Sequence, residues 1–364
     1  MTARSSLARP EPAMIIAFHS NQISRQGTEV ALYDYADAAE RVLQHRAVIL
    51  HDASNPNNVP EAIQKFKDRF DVLAYRERAA LDGLIQSSGA QLMYAIKSGR
   101  RDGLLSQRVP TMVHAVFPTS PFEAHGASFA YISSWLSDGC SGSVIPSVPH
   151  IVQLPAGDGD LREQLGIAPS ALVLGGMGGA KSFNVPAARE GLRQALELRE
   201  DLWFVALNIE PFLEHPRAVF LPGTSDMPFK ARFVDTCDAM LHARALGESF
   251  GLACGEFSVR NKRVIAYAHS KHRHHIEVLG DAALLYHDAP SLLELIRQLD
   301  REALRSGHWD RYTERYNAER VMGEFDRHLI QPALGKRPGD GPGFKLGWRH
   351  RLAYLRFKLA MKLG

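Results

Sequence analysis

The sequence predicts an α/β protein built as two Rossmann-like domains facing a cleft, followed by a basic amphipathic helix at the C-terminus. Three observations carry this. Short apolar runs alternate with helix-like stretches from about residue 14, the pattern halts at a Pro/Gly-rich segment and then restarts, and the last twenty residues contain no acid. At 364 residues the chain exceeds one comfortable core, and 45% hydrophobic with 23% charged residues is ordinary for a globular protein. The balance of 43 Lys+Arg against 40 Asp+Glu leaves a net charge of only +3, too little for a general nucleic-acid-binding field.

The elements follow in order. Residues 1–12, with Pro10 and Pro12, read as a disordered leader. Met14-Ile15-Ile16-Ala17-Phe18 is a fully apolar run bounded by polar residues, the mark of a buried parallel strand. GTEVALYDYADAAERVLQ then places apolar residues near helical spacing, with Thr28 and Glu29 suited to a helix N-terminus, and Arg46 to Leu50 is the second strand. Further strands are expected at Asp71–Tyr75, Ala90–Ala95, Thr111–Val116 and Phe129–Ile132. Pro146, Pro149 and Pro155 among glycines mark an interdomain connector, so the first domain is set at 13–155 and the second at 156–330.

In the second domain, strands are expected at Ala171–Gly175, Leu202–Leu207, Ala218–Leu221, Ala239–His242 and Val264–Ala268, with helices at 185–199 and from Ser291 to about His328. Residues 331–364 are a linker, KRPGDGPG, and the tail. Ligands of such sheets bind at the carboxyl ends of the strands, which places the site between the domains. Cys140, Cys237 and Cys254 form no CxxC pair, which suits a reducing compartment, and the apolar run near the N-terminus is too short for a signal sequence or a membrane span. A cytoplasmic protein is expected.

The most informative stretch is ALGESFGLACGE, residues 245–256. It sets Glu248 and Glu256 eight positions apart with Gly251 between, directly after a strand-like segment. A helix opening at Phe250 puts Glu248 at its positive end and Glu256 about two turns on, so free N–H groups hold a diphosphate while the carboxylates reach hydroxyls on either side. A nucleoside diphosphate sugar has that layout.

This stretch resembles the E-x7-E motif of retaining GT-B glycosyltransferases, specifically glycosyltransferase family 4, and the flanking Asp235–Met240 and Asn261–Ile265 resemble that family's donor domain. The resemblance implies that Glu248 contacts the donor sugar, that Ser249, Phe250, Gly251 and Leu252 lie at the diphosphate, and that Glu256 binds the ribose. By the same resemblance Gly27 and Thr28 form a glycine loop beside the phosphates, and His114 stands beside the reacting sugar. Many relatives carry an arginine where this chain has Gly176, which leaves Lys181 or Lys230 as the phosphate cation, with Lys230 preferred.

Other readings of these segments compete. The loop GGMGGAKS, residues 175–182, falls one glycine short of a P-loop because Ala180 precedes Lys181-Ser182. His269, His272, His274 and His275 read as a mobile donor-side loop; no metal or other cofactor is expected. In the tail, Phe344, Leu346, Trp348, Leu352, Leu355, Phe357 and Leu359 interleave with basic residues only. That pattern reads as an interfacial helix on an anionic membrane surface through residues 344–364, against a solvated terminal helix or a nucleic-acid contact. The whole implies a retaining transferase of cell-surface polysaccharide assembly, acting on a saccharide or lipid-linked acceptor at the inner face of the membrane. Alternatives are a decayed GT-B scaffold, a nucleotide-sugar epimerase, a phosphorylase and a P-loop NTPase.

Overall fold

The computed structural model describes residues 14–363; the leader expected over 1–12 lies outside them. The first domain holds β1 (Ile15–Ser20), β2 (Arg46–Asp52), β3 (Asp71–Tyr75), β4 (Leu92–Lys97), β5 (Thr111–Ala115) and β6 (Ser128–Tyr131). They form one all-parallel sheet in the order β3-β2-β1-β4-β5-β6, with Ile16 opposite both Ala47 and Leu92. The second domain holds β7 (Leu172–Met177), β8 (Leu202–Leu207), β9 (Ala218–Leu221), β10 (Ala239–His242), β11 (Arg263–Tyr267) and β12 (Ala283–Tyr286), ordered β9-β8-β7-β10-β11-β12. Both domains thus share the doubly wound strand order, and each sheet reverses beside its first strand. This is the GT-B architecture.

Parallel strands covered on both faces are mostly apolar, and the central ones follow this: β1, β4, β5 and β7 are buried almost end to end. Helices α1 (Gly27–Arg41), α2 (Pro60–Lys67), α3 (Leu81–Ser88) and α4 (Ser134–Ser141) serve the first sheet, and α5 (Pro186–Leu198), α6 (Met227–Thr236) and α7 (Leu252–Ser258) the second. Buried Asp238, one residue before β10, accepts from Arg162 at 2.8 Å, Arg301 at 3.0 Å and the Val173 amide at 2.9 Å, which ties β10 to β7.

Three expectations are corrected. The late helical stretch is broken: helix Ala289–Gln298 is followed by several short helices rather than one long one. Its last part, Ala318–Phe325 and the π-turn Asp326–Ile330, crosses back to the first domain, where Phe325 lies 5.1 Å from Tyr94 and 5.4 Å from Tyr35, and the Ser128 hydroxyl donates to Leu329 O at 2.7 Å. By packing, residues 318–330 belong to the first domain. The histidine segment is no mobile loop: His272 pairs in a two-residue strand with Gly247, and His274 and His275 open a short helix and are buried.

A candidate nucleotide-sugar cleft

In each sheet the strand order reverses between its first and fourth strands, which splays the loops that follow them and opens a crevice. The loops after β1, β7 and β10 therefore face one another. Between them lies a cleft of about 600 Å³, lined by residues 24–30, Val116, Phe117, Ile132 and His150 of the first domain and by 177–182, Asn208, Lys230, Arg244, 248–253 and Glu256 of the second.

Two helix N-termini meet in this cleft. Helix α1 starts at Gly27 without a side-chain cap, and α7 starts at Leu252 after Gly251, whose φ of +97° only glycine adopts readily. A helix leaves its first N–H groups without intrahelical partners, so both ends present donors and positive potential. They approach so closely that a Cβ on Gly27 would stand 3.3 Å from Leu252 Cδ1. The α7 start is two residues later than the spacing predicts, because the Gly251 turn ends the loop before the helix begins. Glu29, in the first turn of α1, is buried and accepts from the Ser24 hydroxyl at 2.6 Å and the Ser20 hydroxyl at 3.3 Å; burial raises its carboxyl above the ordinary value, and these bonds hold the loop before α1.

On the opposite wall, the Arg244 guanidinium grips both Glu248 oxygens at 3.1 and 3.0 Å, and His242 adds a contact at 3.3 Å. Burial alone would raise the Glu248 carboxyl, but the His242 bond and the Arg244 charge outweigh it and hold the group at about 2. Glu256 is buried and ion-paired to Lys230. Lys181 is exposed on the loop after β7, and Lys65 sits 4.4 Å over the Tyr33 ring. The Ser249 hydroxyl donates across the domain boundary to Val116 O at 3.0 Å.

Gly27, Thr28, Lys181, Lys230, Glu248, Ser249, Phe250, Gly251, Leu252 and Glu256 all line the cleft. His114 does not. It is buried, with one ring nitrogen 2.8 Å from Tyr94 Oη and the other 2.8 Å from Val148 O, and burial lowers its pKa to about 4. Its hydrogen-bonding capacity is spent inside the first domain, and the histidine on the cleft wall is His150, which meets Tyr35 Oη at 3.0 Å. Gly176 is also resolved by geometry: a Cβ there would lie 2.8 Å from Phe204 and 3.2 Å from Ile209, in the apolar core rather than the cleft.

Sequence reasoning missed Arg244, Lys65 and His150. Arg244 was findable, since it lies two residues past a strand end at the point where site loops begin; Lys65 and His150 carry no local signal. Among the described residues no three His, Cys, Asp or Glu side chains converge as a metal site.

No family model matches the chain, and no curated protein matches it. Its likeness is to solved structures. The Anabaena protein Alr3699/HepE in complex with UDP-glucose is 14% identical, covering 96% of this chain and 100% of that one, with a TM-score of 0.60. A glycosyltransferase from Rickettsia africae is 10% identical over 97% and 100%, with a TM-score of 0.58. A UDP-N-acetylglucosamine 2-epimerase from Listeria monocytogenes, so described on provisional grounds, is 12% identical over 90% and 99%, also at 0.58.

Proposed function

We propose that this chain is a retaining glycosyltransferase that moves a sugar from a nucleoside diphosphate sugar to a saccharide or lipid-linked acceptor in cell-surface polysaccharide assembly. The observation that carries the reading is the meeting of two helix N-termini, one from each domain, in a cleft that also holds Arg244, Lys230 and Lys181. Charge builds on the leaving diphosphate as the glycosidic bond breaks, and fixed N–H groups and cations aimed there stabilise the transition state more than the ground state. Binding of UDP-glucose by the Anabaena neighbour supports a nucleotide sugar as the ligand.

In this reading Glu256 meets the ribose and Glu248 the donor sugar. Lys230, paired to Glu256, and Lys181 remain the candidate phosphate cations in place of the arginine that the resemblance puts at position 176, where this chain has glycine against an apolar wall, and Arg244, on Glu248, adds a further positive charge. Of the three glutamates lining the cleft, Glu248 and Glu256 are ion-paired and Glu29 is held by serine hydroxyls, and the reading assigns none of them as a covalent nucleophile; the leaving phosphate accepts the acceptor's proton as the sugar transfers with retention.

Thermal-shift titration against UDP, GDP, ADP, CMP and their sugar conjugates tests this. A ligand at roughly 100 times its dissociation constant adds about 2.7 kcal/mol of stability. One nucleoside diphosphate series should raise the melting temperature of the wild type, and the rise should shrink in Arg244→Ala and Glu256→Gln. No shift with any nucleotide would move the decayed scaffold to the front. The Listeria neighbour keeps an epimerase as the second reading. It predicts that the nucleotide sugar is converted to its epimer without an acceptor, whereas a transferase needs one.

A further inference from the structure

The C-terminal helix, Trp348–Leu363, has two apolar faces. One is docked: Phe357 packs edge-on against Trp135 of α4 at 4.7 Å, over Gly139, where any side chain would collide with it. Tyr354, Phe357 and Met361 mark this face and are half-buried. The other points away. Trp348, Leu352, Leu355 and Leu359 are spaced by four, three and four residues, which at 100° per residue puts them in one narrow stripe opposite Phe357, and they are 72%, 39%, 53% and 56% exposed. Arg349 and Arg356 run along one flank of the stripe, and Arg351, Lys358 and Lys362 along the other. None of the five is ion-paired to a described residue, and no acid follows Asp340.

We infer that this outward stripe is a docking surface for an anionic lipid bilayer, with the leucines in the acyl boundary and the two basic rows at the headgroups. Charge pattern selects the occupant. A second copy of the helix laid on the stripe would bring basic rows against basic rows with no carboxylate to neutralise them. A nucleic acid would meet aliphatic side chains at the centre of the contact, where phosphates need cations. A lipid surface satisfies both parts, apolar depth below and negative charge above. The helix also packs on the turn Pro121–Glu123, whose Phe122 is exposed, and β5 leads to that turn past Phe117 on the cleft wall. On the transferase reading, with the first domain taken as the one that binds the acceptor, the bilayer would dock on the acceptor's domain, which favours an acceptor held in the membrane.

Sedimentation of the full chain with vesicles tests the surface, using phosphatidylcholine alone and an equimolar mixture with phosphatidylglycerol. The wild type should bind the anionic vesicles, lose them as salt rises and leave neutral ones in place. Leu352→Gln/Leu355→Gln/Leu359→Gln should lower partitioning by about tenfold or more, as should Arg351→Gln/Lys358→Gln/Lys362→Gln. Both sets of side chains face away from the docked surface, so both variants should keep the wild-type melting temperature. Wild-type protein left in the supernatant, or an apolar variant that binds as well as wild type, would overturn the inference. So would a dimer seen by light scattering that the apolar variant abolishes without vesicle binding. Nucleotide shifts on the same preparations separate this result from the fate of the transferase reading.

Discussion

Arg244 and Glu248 show how a site residue depends on its partner. The guanidinium fixes a carboxylate that burial alone would neutralise, so Glu248 stays ionised through the working pH range. Histidines in the same region do the reverse. His114 and His274 are lowered to about 4 by burial, and His150 and His275 well below 6.5, so all four are neutral in the native state. The unfolded chain binds those protons from about pH 6.5 downward while the folded chain refuses them, so the unfolded state takes up more protons and acid destabilises the fold. Stability should therefore be fully present above pH 6.5 and fall steadily between 6.5 and 4. Glu248, lowered from 4.5 to about 2, adds a further loss only below pH 4.5. Melting temperatures across this range check the sign, and His274→Leu, which deletes one of the titrations, should flatten the slope.

At the scale of the element, the turn into α7 carries the geometry of the second domain's phosphate side. Gly251 sits at φ +97°, and a Cβ there would lie 2.9 Å from His275 Cβ. An L-residue held left-handed costs roughly 1–2 kcal/mol before the collision is counted. Gly251→Ala should then lower the urea midpoint by more than that cost implies, with the slope unchanged, and should weaken nucleotide binding by tilting the first turn of α7. The C-terminal helix makes a second point. Its apolar residues look like one amphipathic face when read along the chain, yet they divide into a docked face and an outward stripe, because Gly139 admits Phe357 to the surface of α4.

The molecule as a whole is closed by its own chain. After the second sheet the segment 318–330 returns to the first domain and inserts Phe325, fully buried, among Phe18, Tyr35 and Tyr94. Truncating such an aromatic leaves a cavity and costs about 3–5 kcal/mol. Phe325→Ala should lower stability by that amount in chemical denaturation, although the residue lies far along the sequence from the sheet it supports. No helix among the described residues is long and apolar enough to cross a membrane.

The sequence by itself determined the two sheets and the identity of most of the cleft lining. Parallel strands buried on both faces must be continuous apolar runs, and loops at strand ends carry glycine and charge, so both are written locally. β12, Ala283–Tyr286, does not stand out because its short run adjoins the helical turn Gly280–Ala282 and lies just before helix Ala289–Gln298, so it merges with them along the chain. What the tertiary structure alone decided are the relations between distant residues. It gave His114 its two internal partners, paired Lys230 with Glu256 across 26 positions, turned Gly176 toward Phe204, and set Arg244 in the cleft. Those outcomes depend on which side of a strand or helix a residue faces once each domain is packed, and that direction is fixed by packing, not by neighbours in the chain.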